Sequence, residues 1–189
     1  TAALWKQCLA KTIVPIIDSI HDALGGLDGI IIQSTLWDVA IPFEADKTSP
    51  LFTGGPNHEH ARHQFMLGWE RNMSTFLDYM VPYFKGINGV KKTQPWVAWR
   101  TINYVHNKTG LHYFNMYGQN ILEDMKRVGV AQAMKHGMDL VPYHLFPGSH
   151  LRRDDVHPNL RSSATLVEYA IHAVDSLRKQ KKLDSNPTT

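Results

Sequence analysis

The sequence predicts an α/β fold built on a parallel sheet, with helices on both faces. Two observations carry this expectation. Segments of helical period and short strand-like runs alternate in the order α-β-α-β-α-β-α. Such alternation implies parallel strands joined by right-handed crossovers. The run Gly29-Ile30-Ile31-Ile32-Gln33 is continuous and β-branched, the pattern of a strand buried on both faces of a parallel sheet. The chain has 189 residues, 43% hydrophobic and 20% charged, enough for one domain with its own core.

Taken in order, Leu4 to Leu24 reads as helical, with a break or kink at Pro15 and an end at Gly25-Gly26. The Ile-rich strand follows. Ile41 to Pro56 is rich in Pro, Gly, Asp and Thr and reads as a loop. His58 to Phe84 is a long amphipathic helix, with Phe65, Trp69, Phe76 and Met80 near helical spacing. Beyond Gly86-Ile87-Asn88-Gly89, the run Trp96-Val97-Ala98-Trp99 is a second strand. Tyr113 to His136 is a helix closed by Gly137. Met138 to Leu145 is a third strand, which Pro142 makes short or places at an edge. Leu160 to Lys182 is the last helix, and Leu183 to Thr189 a polar tail. No repeat or linker divides residues 1–189, so a single domain is expected.

Composition narrows the function classes. A net charge of +3 is mild, and no basic stripe interleaves with aromatics, so no nucleic-acid partner is expected. The run Arg178-Lys179-Gln180-Lys181-Lys182 reads as a solvated helix end, where cations suit the macrodipole. One cysteine, Cys8, permits no internal disulfide and reads as a small core residue. No apolar run reaches the roughly 18 residues of a membrane span, and no signal peptide is visible, since Thr1 opens in mid-stream rather than at a methionine. The sequons Asn72-Met73-Ser74 and Asn107-Lys108-Thr109 hint at a secretory or extracellular route.

Functional loops of parallel sheets gather at the C-terminal strand ends. Three segments lie there: Gln33 to Asp38, Arg100 to Asn103, and Phe146 to His157. In the last, Asp154 stands three residues before His157. A histidine acts as general base when a carboxylate orients its other ring nitrogen. His157 is thus the candidate base, Asp154 its orienter and Asp155 the competitor. Asn159 could equally cap the last helix. Gln33 is a candidate donor to an oxyanion, although Gln33 and Ser34 could instead satisfy the loop backbone. Arg100 is a candidate for an ion pair with Asp38, Asp154 or Asp155, the expected role, or for binding a substrate carboxylate.

Other residues weigh less. His58, Glu59, His60 and His63 lack the i, i+4 pair of a zinc helix, and a solvated helix start is expected there; a metal-dependent hydrolase is the minor reading. Thr1 as an N-terminal nucleophile is disfavoured, because that class opens on a strand. Trp5, Trp69, Phe76, Tyr79 and Phe84 read as core or interface. No metal or cofactor is expected.

Together these motifs resemble the SGNH/GDSL hydrolase superfamily, in its PC-esterase-like branch. That branch has a strand running into Asn-Ser-x-Leu-Trp-Asp, which stands here as Gln33-Ser34-Thr35-Leu36-Trp37-Asp38. Its Trp-x-Thr strand end is matched by Trp99-Arg100-Thr101. Its His-Gly-hydrophobic-Asp strand entry is matched by His136 to Asp139, and its Asp-x-x-His by Asp154 to His157. The resemblance covers about Asp28 to Asp175. It implies a flavodoxin-like three-layer α/β/α sandwich and a serine esterase or acyltransferase acting on O-acyl esters, O-acetyl groups of carbohydrates among them. It implies catalysis by His157 and Asp154, with Gln33, Ser34, Asp38 and Arg100 at the oxyanion or substrate. Two departures stand out. Gln33 replaces the family's asparagine, and the Gly-Asp-Ser block of the family's first strand is absent. Ser34, Ser149 and Ser162 do not sit on a strand-to-helix turn of the kind the nucleophile needs. In the family's sheet that first strand lies beside the third, so the Ile30–Ile32 strand is expected to have an unpaired apolar edge. A partner chain or a preceding segment of a longer domain would complete the sheet and supply the serine. The alternative is a non-catalytic α/β binding or scaffold domain.

Overall fold

Pro15 decides how the first helix begins. In the computed structural model, Leu9–Ile13 winds as a π-helical turn and passes into α1 (Val14–Leu24), with Pro15 in the first turn. A missing N–H costs nothing there, because that donor has no intrahelical partner. The structure describes residues 7, 9–33, 37–87, 94–101, 116–146, 152–154, 157–158 and 160–185; for 37, 40, 116, 152–154, 157–158 and 181–185 it describes the backbone alone. Cys8, Thr1, Trp5 and Asn107 lie outside the described residues.

Three strands form a small open parallel sheet in a mostly helical molecule, which is an α/β arrangement. β1 (Gly29–Ile32) pairs with β2 (Trp96–Arg100), from Gly29 opposite Trp96 to Ile32 opposite Trp99. β2 pairs with β3 (Asp139–Val141), from Ala98 opposite Asp139 to Arg100 opposite Val141. The order is β1-β2-β3. β3 has three residues and ends at Pro142, so the proline shortens the expected Met138–Leu145 strand; Tyr143–Leu145 is a 3-10 turn instead.

The segment expected to be a loop, Ile41 to Pro56, is largely helical. α2 (Trp37–Ala45) and α3 (Pro50–Thr53) occupy it, and Pro42 sits inside α2. Burial overrides local propensity here: Val39, Phe43, Leu51 and Phe52 pack with Ile121, Leu122 and Met125 of the helix α5 (Met116–Lys135). Ser49 caps α3, its hydroxyl accepting from the Leu51 amide.

The long helix α4 (His58–Gly86) lies against one face of the sheet. Its Met73, Leu77, Met80, Val81 and Phe84 pack with Val97 and Trp99 of β2, and Ile30, Ile32 and Leu140 join that cluster. The other side chains of the same strands, Trp96, Ala98 and Val141, pack with Leu166, Ala170, Ala173, Val174 and Leu177 of α6 (Leu160–Ser185). This alternation follows the period-2 direction of strand side chains. A short antiparallel pair, β4 (Arg152–Asp154) and β5 (His157–Pro158), precedes α6; the sequence did not predict it.

β1 departs from the expected strand buried on both faces. Among the described residues it is the terminal strand, and Ile31 is 36% exposed. Two helices carry exposed apolar stripes. On α1 they are Ile16, Ile20 and Leu24; on α6, Leu160, Val167 and Ile171. The α1 stripe lies away from Asp18, which accepts a 2.5 Å hydrogen bond from the Tyr83 hydroxyl of α4. On α6, Tyr169 reaches Leu140 of β3 with its hydroxyl, whereas Arg178 pairs with Asp28 beside β1 at 2.6 Å. Val167 and Ile171 lie on the Arg178 side of that helix, by helical spacing.

Candidate active site

The C-terminal edge of the sheet is assembled from three strand ends. β1 runs out into Gln33, which is exposed, and β2 into Arg100 and Thr101. Ile32 and Trp99 are the last pair between β1 and β2, so Gln33 and Arg100 continue the two strands side by side. β3 runs into the turn that carries Tyr143 and His144.

Arg100 is half-buried, and its guanidinium carbon lies 4.4 Å over the Tyr143 ring. Burial pushes its pKa below the usual arginine value, an effect the nearby Tyr143 opposes. It stays a cation at neutral pH. The ring beneath it is fixed: Tyr143 is fully buried, and its hydroxyl donates to Ser162 Oγ at 3.2 Å. Among the described residues Arg100 forms no ion pair, so the expected pair with Asp38 is not made. Asp38 lies in the first turn of α2.

Thr101 is 3% exposed and faces His144. Its Oγ1 lies 2.9 Å from His144 Nδ1 and accepts from the His144 amide at 3.4 Å. Burial lowers the His144 pKa; Lys126 adds to that and Glu123 opposes it. A neutral imidazole accepts at one ring nitrogen, so with the proton on Nε2 the Thr101 hydroxyl donates to Nδ1. Sequence reasoning missed His144, because it read Tyr143 to Leu145 as strand. Its signal was a histidine just beyond a proline that ends a strand.

Of the predicted catalytic residues, Asp154 and His157 stand opposite each other as paired residues of the β4–β5 hairpin. Five residues beyond His157, Ser162 is anchored to the hydroxyl of Tyr143, the residue whose ring carries Arg100. Five residues of chain span at most roughly 17 Å, which bounds the distance of His157 from this anchor. Ser162 is itself fully buried in the first turn of α6, so it is no exposed nucleophile. Ser34, Ser149, Asp155 and Asn159 lie outside the described residues. Gln33, Arg100 and the Thr101–His144 pair are thus brought to one sheet edge, and Asp154 and His157 are brought to one hairpin.

The histidine cluster of α4 is not uniformly solvated. His58 is 5% exposed, its Nδ1 lies 3.0 Å from the Pro50 carbonyl, and its ring rests on Tyr117 at 4.6 Å. His60 and His63 are exposed. Among the described residues no three His, Cys, Asp or Glu side chains group as metal ligands. No described helix is long and apolar enough to cross a membrane. Asn72 of the first sequon is exposed on α4. No family model, curated protein or solved structure matches the chain.

Proposed function

We propose that these residues form the C-terminal part of an SGNH-like domain, a three-layer α/β/α sandwich, whose serine lies in sequence outside them. The observation that carries the reading is the edge of β1, which is the terminal strand among the described residues and has Ile31 36% exposed. The strand order and the helices against both sheet faces are compatible with the sandwich. A further strand paired with β1 would bring its C-terminal end next to Gln33. The branch resembled here carries its nucleophile on such a strand.

The reaction is hydrolysis or transfer of an O-acyl group, with carbohydrate O-acetyl esters as the class the resemblance implies. The serine hydroxyl attacks the ester carbonyl carbon and gives its proton to His157. The same imidazole returns a proton to the leaving alcohol oxygen, and water or an acceptor hydroxyl then releases the acyl group. Asp154 holds the imidazole, and the Gln33 amide donates to the oxyanion. The absence of Gly-Asp-Ser from these 189 residues favours a second reading, a non-catalytic α/β binding domain.

The test uses the natural polypeptide or complex that contains this chain. A fluorophosphonate probe should label one serine, and His157→Ala should abolish that labelling. No label with a Gly-Asp-Ser block present, or label indifferent to His157→Ala, sinks the esterase reading.

A further inference from the structure

The α6 helix carries a second apolar register besides the one that faces the sheet. Leu160, Ala164, Val167, Ile171, Val174 and Arg178 follow one another at alternate spacings of four and three residues, the seam spacing of a helix that packs along another helix. The C-terminal end of this seam is used within the chain. Val174 lies against Gly29 of β1, where an added Cβ would stand 3.2 Å from its Cγ2, and Arg178 pairs with Asp28 at 2.6 Å. The N-terminal end is open. Leu160 is 87% exposed, Val167 58% and Ile171 55%, and Ala164 between them is exposed too. Ile31 extends the same surface: it stands opposite Ala98, whose side chain packs on α6, so Ile31 turns toward the α6 face of the sheet. Single exposed apolar residues are ordinary on any surface, whereas a contiguous row in seam register marks a contact.

We propose that two copies of this chain pair through this seam, α6 against α6 and antiparallel. The occupant and its direction follow from charge. Arg161 and Glu168 are both exposed and hold equivalent flanking positions of the seam, one heptad apart. In an antiparallel pair such positions face each other, so Arg161 of each copy meets Glu168 of the other, and the ion pair forms twice about the two-fold axis. The seam then layers Leu160 on Ile171 and Ala164 on Val167, again twice each. A parallel pair would set Ser163 against Glu168 and Ala170 against Asp175, and would form no ion pair. The surface is thus complementary to itself, as a two-fold partner requires. The further strand proposed above lies in the plane of the sheet, whereas this pairing concerns the helix layer over it. The pairing does not rest on the esterase reading.

Sedimentation velocity of the full chain at low salt tests the pairing. The wild type should show a monomer–dimer equilibrium in the micromolar range, because four seam residues a side make a small interface, below about 1,200 Å². Arg161→Glu and Glu168→Arg each bring like charges together twice and should weaken the dimer about tenfold. The double variant Arg161→Glu/Glu168→Arg should recover it. Both positions are exposed, so all three variants should keep the far-UV circular dichroism of the wild type. Val167→Asp, in the seam itself, should give monomer. Single variants that associate like the wild type, a double variant no tighter than the singles, or a chain still monomeric at about 0.1 mM would overturn the proposal. Association that ignores the charge swaps and is lost in Ile31→Lys belongs to the edge of β1, and overturns it as well.

Discussion

At the scale of single residues, the Thr101–His144 contact couples the sheet edge to pH. Burial, first, and Lys126 lower the folded-state pKa of His144 below its ordinary value of 6.5. A histidine depressed on folding binds its proton more readily when the chain is unfolded. Stability is therefore present above pH 6.5 and is lost as pH falls from there through the lower folded value. Protonation would also turn Nδ1 into a donor facing Thr101. Urea unfolding from pH 7.5 down to pH 5 should show a smaller loss for His144→Asn than for the wild type. Equal slopes would show that His144 does not titrate differently on folding. Such coupling was illegible in the sequence, because Thr101 and His144 are 43 positions apart and meet only when β2 and β3 pair. By contrast, Asp154 and His157 were legible because their relation is local.

At the scale of elements, legibility followed the length of the periodic signal. α4 was readable over nearly its whole length, since its apolar residues recur at helical spacing for 29 residues. α2 and α3 were not, because Pro42, Pro50 and their neighbours read as breakers while the burial that holds them comes from distant α5. β1 was found in the right place, but its exposure depends on which strands flank it, and no local pattern records that. The fit of α5 to the sheet was equally hidden. Gly129 lies in mid-helix, where glycine costs about 1 kcal/mol relative to alanine. Its reason is Trp99: a Cβ at Gly129 would stand 3.1 Å from the indole Cζ2. Gly129→Leu should therefore force the helix off the sheet and cost about 1–3 kcal/mol, lowering Tm by roughly 2–12 °C. Gly68→Ala on α4, with nothing within 4 Å of the added Cβ, should leave Tm unchanged or raise it. Thermal unfolding of the two variants checks this; parallel losses at both positions would rule out the Trp99 contact as the cause.

At the scale of the whole molecule, the sheet is closed on neither flank among the described residues, but its two edges are not equivalent. At β3, the Tyr169 hydroxyl reaches the Leu140 carbonyl, and Tyr169 packs its ring near Trp96 and Phe146. At β1, Ile31 is 36% exposed, and Arg178 of α6 pairs with Asp28 just ahead of the strand. An apolar strand edge with free pairing groups is a template for a further strand, and in its absence for another copy. The 189 residues expressed alone should therefore self-associate, with an apparent mass above 21.5 kDa that rises with concentration in light scattering. Ile31→Lys places a charge on the exposed face of β1 and should return the chain to a monomer. It should do so at little cost to folding, because a partly exposed edge position loses less burial than a core residue. Leu77→Ala is the control: that side chain is fully buried in the α4 cluster, so its loss should cost about 2–5 kcal/mol and leave the monomer fraction no higher. If Ile31→Lys and the wild type associate alike, the adhesive surface lies elsewhere, and the edge of β1 loses its claim to be the place where the proposed further strand docks.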